Sequence, residues 1–78
     1  MNVVVSRKLD CRWMYTPLAV VQLHFAFRDL RQGEVIELLI NNEESRADVM
    51  SWSRMTGNPI LQVRQKDTYT CVLVQKNK

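Results

Sequence analysis

Between positions 17 and 31 the apolar residues Val20, Leu23, Phe27 and Leu30 recur at i, i+3, i+7 and i+10, the period of one face of an α-helix. Thr16 and Pro17 precede the run as a start signal, a hydroxyl at the N-cap and then a proline at the first helical position, where no amide donor is lost. Gly33 is the expected end. A second apolar stripe, Leu18, Val21 and Phe25, runs beside the first, and a broad buried face is its simplest explanation. Further on, Ser45 with Asp48 resembles a capping box. Val49, Trp52 and Met55 or Thr56 then line one face of a second helix that stops at Gly57, with Pro59 barring continuation.

Elsewhere the pattern is that of strands. The β-branched run Val3-Val4-Val5, leading through to Leu9, predicts a first strand. Residues 34 to 40 predict a largely buried one, with Ile36, Leu38 and Ile40 on its inner face and Asn41-Asn42 ending it. Residues 60 to 66 and 69 to 76, joined by a short Asp67-Thr68 turn, predict an antiparallel hairpin. The order β-α-β-α-β-β, with short crossovers through single helices, predicts a parallel first pair of strands. The expected architecture is an α+β two-layer sandwich over residues 1–78 as a single domain, with both helices on one face of a four-stranded mixed sheet. The other face is expected to lie open. Either Tyr69, Cys71 and Leu73 or Thr70, Val72 and Val74 must point into it, as ordinary exposed strand or as a dimer or partner surface.

Composition narrows the functional classes. The net charge of +3 comes from eleven Lys and Arg interleaved with eight acids, without the clustering of a committed nucleic-acid binder, so nucleic acid is not the expected partner. Two cysteines, Cys11 and Cys71, are too few for a disulfide framework, and with His24 they make only three widely spaced ligands, so no metal or other cofactor is expected. The first residues lack the apolar core of a signal peptide, and no apolar stretch approaches the ~20 residues that span a bilayer. The expected location is the cytoplasm, with both thiols reduced, no membrane association, and a monomer or weak homodimer.

Leu9-Asp10-Cys11-Arg12 followed by Thr16-Pro17 resembles the TusA/SirA-like sulfur-carrier family, whose hallmark is a Leu-Asp-x-Arg-Gly-Leu stretch running into Cys-Pro-x-Pro at the start of the first helix. The resemblance continues through Leu30, Gly33-Glu34, the Asn41-Asn42 turn where the family has two Asp, Asp48-Val49, Trp52 and Gly57-Asn58. It implies the same element order. It also implies a persulfide relay, in which the cysteine opening the first helix accepts sulfur from a cysteine desulfurase and passes it on, toward tRNA wobble-uridine thiolation or molybdenum cofactor assembly. A helix N-terminus favours the thiolate such chemistry needs.

In this chain the motif reads Thr16-Pro17-Leu18-Ala19, so the resemblance implies that the nucleophile and the second proline are missing. A hydroxyl cannot carry a persulfide, and as a nucleophile it needs a neighbouring base. His24, eight residues along the helix and thus about 12 Å away at 1.5 Å per residue, is out of reach and is expected to be solvated. Thr16 is therefore expected to act as an N-cap. Cys11, five residues upstream, is the alternative sulfur carrier, although its alternation with Leu9 points it toward the helix layer as inert packing. Trp13-Met14-Tyr15 stands where the family has Gly-Leu and one variable residue. Either the loop no longer needs a positive φ there or Trp13 adopts one. The aromatics are expected to fold back over the small core, the other reading being that Arg12, Trp13, Met14, Tyr15 and Leu18 contact a protein partner.

Three functions remain in view: a non-catalytic adaptor or regulator in sulfur relay, an active carrier using Cys11, and a nucleic-acid-binding module favoured only by net charge. Whether the chain is an enzyme stays open at this point, since the residue that defines the family chemistry is replaced.

Overall fold

The computed structural model describes residues 3–77. Its elements are β1 (Arg7–Asp10), α1 (Leu18–Arg28), β2 (Val35–Ile40), α2 (Glu43–Thr56), β3 (Ile60–Gln65) and β4 (Thr70–Gln75). The strands lie in the order β1-β2-β4-β3. β1 runs parallel to β2, and β4 is antiparallel to both β2 and β3, so the expected α+β arrangement of two helices on a four-stranded mixed sheet is what forms.

Alternation along the central strands sorts the side chains onto two faces. Ile36, Leu38 and Ile40 of β2 and Val72 and Val74 of β4 are fully buried against Ala19, Leu23 and Phe27 of α1 and Val49 and Trp52 of α2. Each such aliphatic side chain contributes about 1.5–3 kcal/mol through burial. Phe27 and Trp52 meet edge to face, 4.9 Å between centroids, and set the approach of the two helices. The opposite face carries Val35, Leu39, Cys71 and Leu73. It was expected to lie open; instead Val3, Leu61 and Tyr69 pack against these residues, leaving each at most 8% exposed.

Three boundaries differ from the sequence expectation. Val3, Val4 and Val5 lie outside β1, which begins at Arg7, because the ladder on β2 starts there: Ser6 donates its amide to the Val35 carbonyl and Arg7 faces Ile36. α1 stops at Arg28 and not near Gly33. Its last carbonyls are taken by the Lys76 ammonium, 2.6 Å from Phe27 O and 2.7 Å from Leu30 O, a cation at the negative end of the helix. Gly33, at φ 91°, instead forms the turn into β2 and donates to Lys76 O. α2 is capped by Asn42 and not by Ser45; Asn42 Oδ1 accepts from Ser45 N at 2.8 Å, and Glu43 and Glu44 in the first turn complement the dipole. The expected stop at Gly57, left-handed at φ 75°, is where α2 ends.

Candidate functional site

Residues 11 to 17 join β1 to α1, and this short loop is fastened along its length. Its first residue, Cys11, continues the parallel ladder by donating its amide to Leu39 O at 2.8 Å. Its side chain points into the helix-facing core and is fully buried. Burial, aided by the neighbouring Asp10 carboxylate, pushes the Cys11 thiol up to about 11, which keeps it protonated at neutral pH. Cys71 on the other face is also buried, and burial and then Glu37 push its thiol up as well.

Arg12 turns back on Asp10. Its Nε and one terminal nitrogen reach the two carboxylate oxygens at 2.9 and 2.8 Å, and its amide adds a third bond at 3.1 Å. These bonds hold the Asp10 carboxyl near 2, below its ordinary 3.8. The guanidinium also lies over the Tyr69 ring, 5.2 Å from its centroid.

Trp13 adopts φ 68°. Of the two readings of the loop, the positive φ is the one that forms, and a tryptophan makes it. Left-handed backbone in a residue with a Cβ costs roughly 1–2 kcal/mol, and here Asn41 Oδ1 holds it by accepting from Trp13 N at 2.8 Å. Met14 is half-buried against the core; its carbonyl accepts from Asn42 Nδ2 at 3.1 Å and Ser45 Oγ at 3.4 Å. The Asn41-Asn42 pair, expected only to end a strand, is therefore the clamp that shapes the loop, and an amide at 42 is required because a carboxylate has no N–H to donate.

Thr16 does not cap α1. Pro17 occupies the N-cap position with no side-chain cap bond, the Thr16-Pro17 peptide is cis, and the Thr16 hydroxyl donates to Asp48 of α2. Asp48 thus serves the loop and not a capping box within α2. Neither partnership leaves a signal in the local sequence, since each joins residues about thirty positions apart.

The aromatics do not fold back. Trp13 is 85% exposed and Tyr15 82%, and the second stripe of α1 is exposed too, with Leu18 at 46% and Phe25 at 54%. Trp13, Met14 and Tyr15 line a shallow hollow of about 280 Å³ with Asn41, Asn42 and Glu44. His24 is exposed, as expected. Among the described residues no group of three His, Cys, Asp or Glu is placed to hold a metal ion, and no helix is long and apolar enough to cross a membrane.

Comparison with known proteins gives a consistent picture. The family model described as Sulfurtransferase TusA matches residues 7–76. A candidate sulfur carrier protein of Archaeoglobus fulgidus is 27% identical over 70 residues, covering 90% of this chain and 96% of that protein. A candidate sulfur carrier protein of Aquifex aeolicus is 29% identical over 75 residues, 96% of this chain, but the match spans only 38% of that longer protein. The crystal structure of a SirA-like protein from Desulfitobacterium hafniense superimposes with a TM-score of 0.81 at 20% identity, covering 92% of this chain and 99% of that one, a likeness of fold.

Proposed function

The chain belongs to the TusA sulfurtransferase family, and from that premise we propose that it is a member without sulfur-transfer chemistry of its own, acting in the cytoplasm as a protein-binding adaptor or regulator of a sulfur relay. One observation carries the reading: no thiol is both accessible and at the start of α1. The chain has two cysteines, both buried, and burial holds Cys11 protonated. A hydroxyl stands at position 16, engaged with Asp48. What the loop presents instead is apolar surface, from Trp13 and Tyr15 on to Leu18, Val21 and Phe25 of α1. Exposed Trp and Tyr on a pinned backbone have the character of binding anchors, because little conformational freedom is left to lose on contact. The partner this reading names is a protein of the relay, such as a cysteine desulfurase.

The test is intact mass after the reduced protein is incubated with a cysteine desulfurase and cysteine, beside Thr16→Cys and Cys11→Ser. The expected result is no added sulfur on the natural chain and one sulfur atom on Thr16→Cys. Sulfur on the natural chain that disappears in Cys11→Ser would overturn the reading and make Cys11 the carrier.

A further inference from the structure

The groove between α1 and α2 has a second hollow, which none of residues 11 to 17 lines. It measures about 380 Å³ and is lined by His24, Phe27, Arg28, Trp52, Thr56, Asn58 and Lys76, within the size range of small-molecule sites. No carboxylate is among these residues. Arg28 is exposed, and among the described residues neither it nor Lys76 is ion-paired. The Lys76 ammonium is fixed by its two bonds to Phe27 O and Leu30 O, and among the described residues its third N–H has no acceptor. The floor is aromatic, the edge-to-face pair Phe27 and Trp52. Along the same groove Trp52 and Thr56 also line an apolar hollow of about 270 Å³ with Pro17, Val20, Ser51 and Met55, where the one carboxylate is Asp48. Charge is thus segregated, with Asp48 toward the start of α1 and Arg28 and Lys76 toward its end.

We propose that this basic end of the α1/α2 groove binds a small organic anion carrying an apolar body. The anionic group meets Arg28, the free N–H of Lys76 and the His24 ring, while the body lies on Phe27 and Trp52 toward the apolar hollow. Arg28 and Lys76 line one hollow and among the described residues face no acid, although the Arg28 guanidinium also lies 6.0 Å from the centroid of the Phe25 ring; a carboxylate, sulfonate or phosphate there gains charge-assisted hydrogen bonds without first displacing a resident acid. The inference does not depend on what stands at position 16.

The test uses 8-anilino-1-naphthalenesulfonate as the anionic probe and N-phenyl-1-naphthylamine as its neutral counterpart, titrated by fluorescence and by backbone amide NMR shifts, on the natural chain and on Arg28→Gln. The variant removes an exposed charge, so it is expected to fold. Expected are shifts centred on residues 24, 28, 52, 56 and 76. The anion should bind at least about tenfold more tightly than the neutral probe, a gap that Arg28→Gln narrows by about fivefold. Equal binding of the two probes, indifference to Arg28→Gln, or shifts centred on residues 13 to 18 would each overturn the proposal.

Discussion

The hydroxyl of Thr16, immediately before the N-cap of α1, donates to the carboxylate of Asp48 in the second turn of α2, 32 positions away in the chain. The pair ties the entry of one helix to the flank of the other. It also places the Asp48 carboxylate beside position 16. Thr16→Val keeps the shape of the side chain and removes the bond. It should cost about 1 kcal/mol and lower the melting temperature by roughly 4–8 °C, read by thermal unfolding; an unchanged melting temperature would mean the bond adds nothing to stability.

A thiol installed by Thr16→Cys would feel two opposing fields. The start of α1 favours the thiolate and Asp48 disfavours it. Replacing the carboxylate in the double variant Thr16→Cys/Asp48→Asn should therefore lower the thiol pKa by about one unit or less. The pH profile of alkylation by iodoacetamide measures this directly, and identical profiles for the single and double variants would refute the opposition.

Cys11 should make stability fall in alkaline solution. Its thiol is held near 11 in the folded chain against an ordinary 9.0. As pH rises above 9 the unfolded chain loses this proton while the folded chain keeps it, so the unfolded state binds fewer protons and stability drops. The loss is at most about 1.4 kcal/mol per pH unit between roughly 9 and 11. Urea unfolding at pH 8, 9 and 10 should show a steeper decline for the natural chain than for Cys11→Ala, and parallel declines would exclude Cys11 as the source.

Asp10 predicts the opposite behaviour in acid. Its carboxyl, held near 2 by the Arg12 guanidinium, should titrate below the ordinary 3.8 when followed by side-chain NMR. Arg12→Gln should return it toward 3.8. Stability linked to this group is present above the ordinary value and is lost as pH falls through 2.

Trp13 separates folding from binding. Trp13→Gly relieves the left-handed backbone but adds freedom to the unfolded chain, so stability should rise by no more than about 1 kcal/mol. Affinity for a relay protein, measured by calorimetry, should fall by about tenfold or more if the ring is an anchor. Trp13→Ala should lose the same affinity without the gain in stability. A Trp13→Gly variant that binds as well as the natural chain would remove the ring from the interface.

The layers of this fold are legible in the sequence because they rest on local periodicity. Ile36, Leu38 and Ile40 alternate, Leu23 and Phe27 recur by helical turns, and Gly57 supplies a left-handed stop, so the strand, the helices and the hairpin follow from short windows. The ends of α1 are not legible. Its C-terminus is closed by Lys76, which no window around Arg28 contains, and Gly33 draws attention as a stop while serving the next turn. The site divides in the same way. The buried side chain of Cys11 follows from alternation with Leu9, whereas the roles of Asn41, Asn42 and Asp48 exist only once β2 and α2 have docked beside the loop. The outward turn of Trp13 and Tyr15 likewise depends on a backbone shaped from outside the loop.

The position of β4 has a consequence for synthesis on the ribosome. It is made after the other three strands, yet it lies between β2 and β3, and just beyond it Lys76 closes α1. Until it emerges, β2 has one unpaired apolar edge and β3 has no partner at all. The sheet is therefore completed only after β1, β2 and β3 have been translated, by insertion of the fourth strand into a waiting gap. During that interval the nascent chain exposes a template for strand pairing with its neighbours, and the rate at which β4 arrives sets how long that exposure lasts.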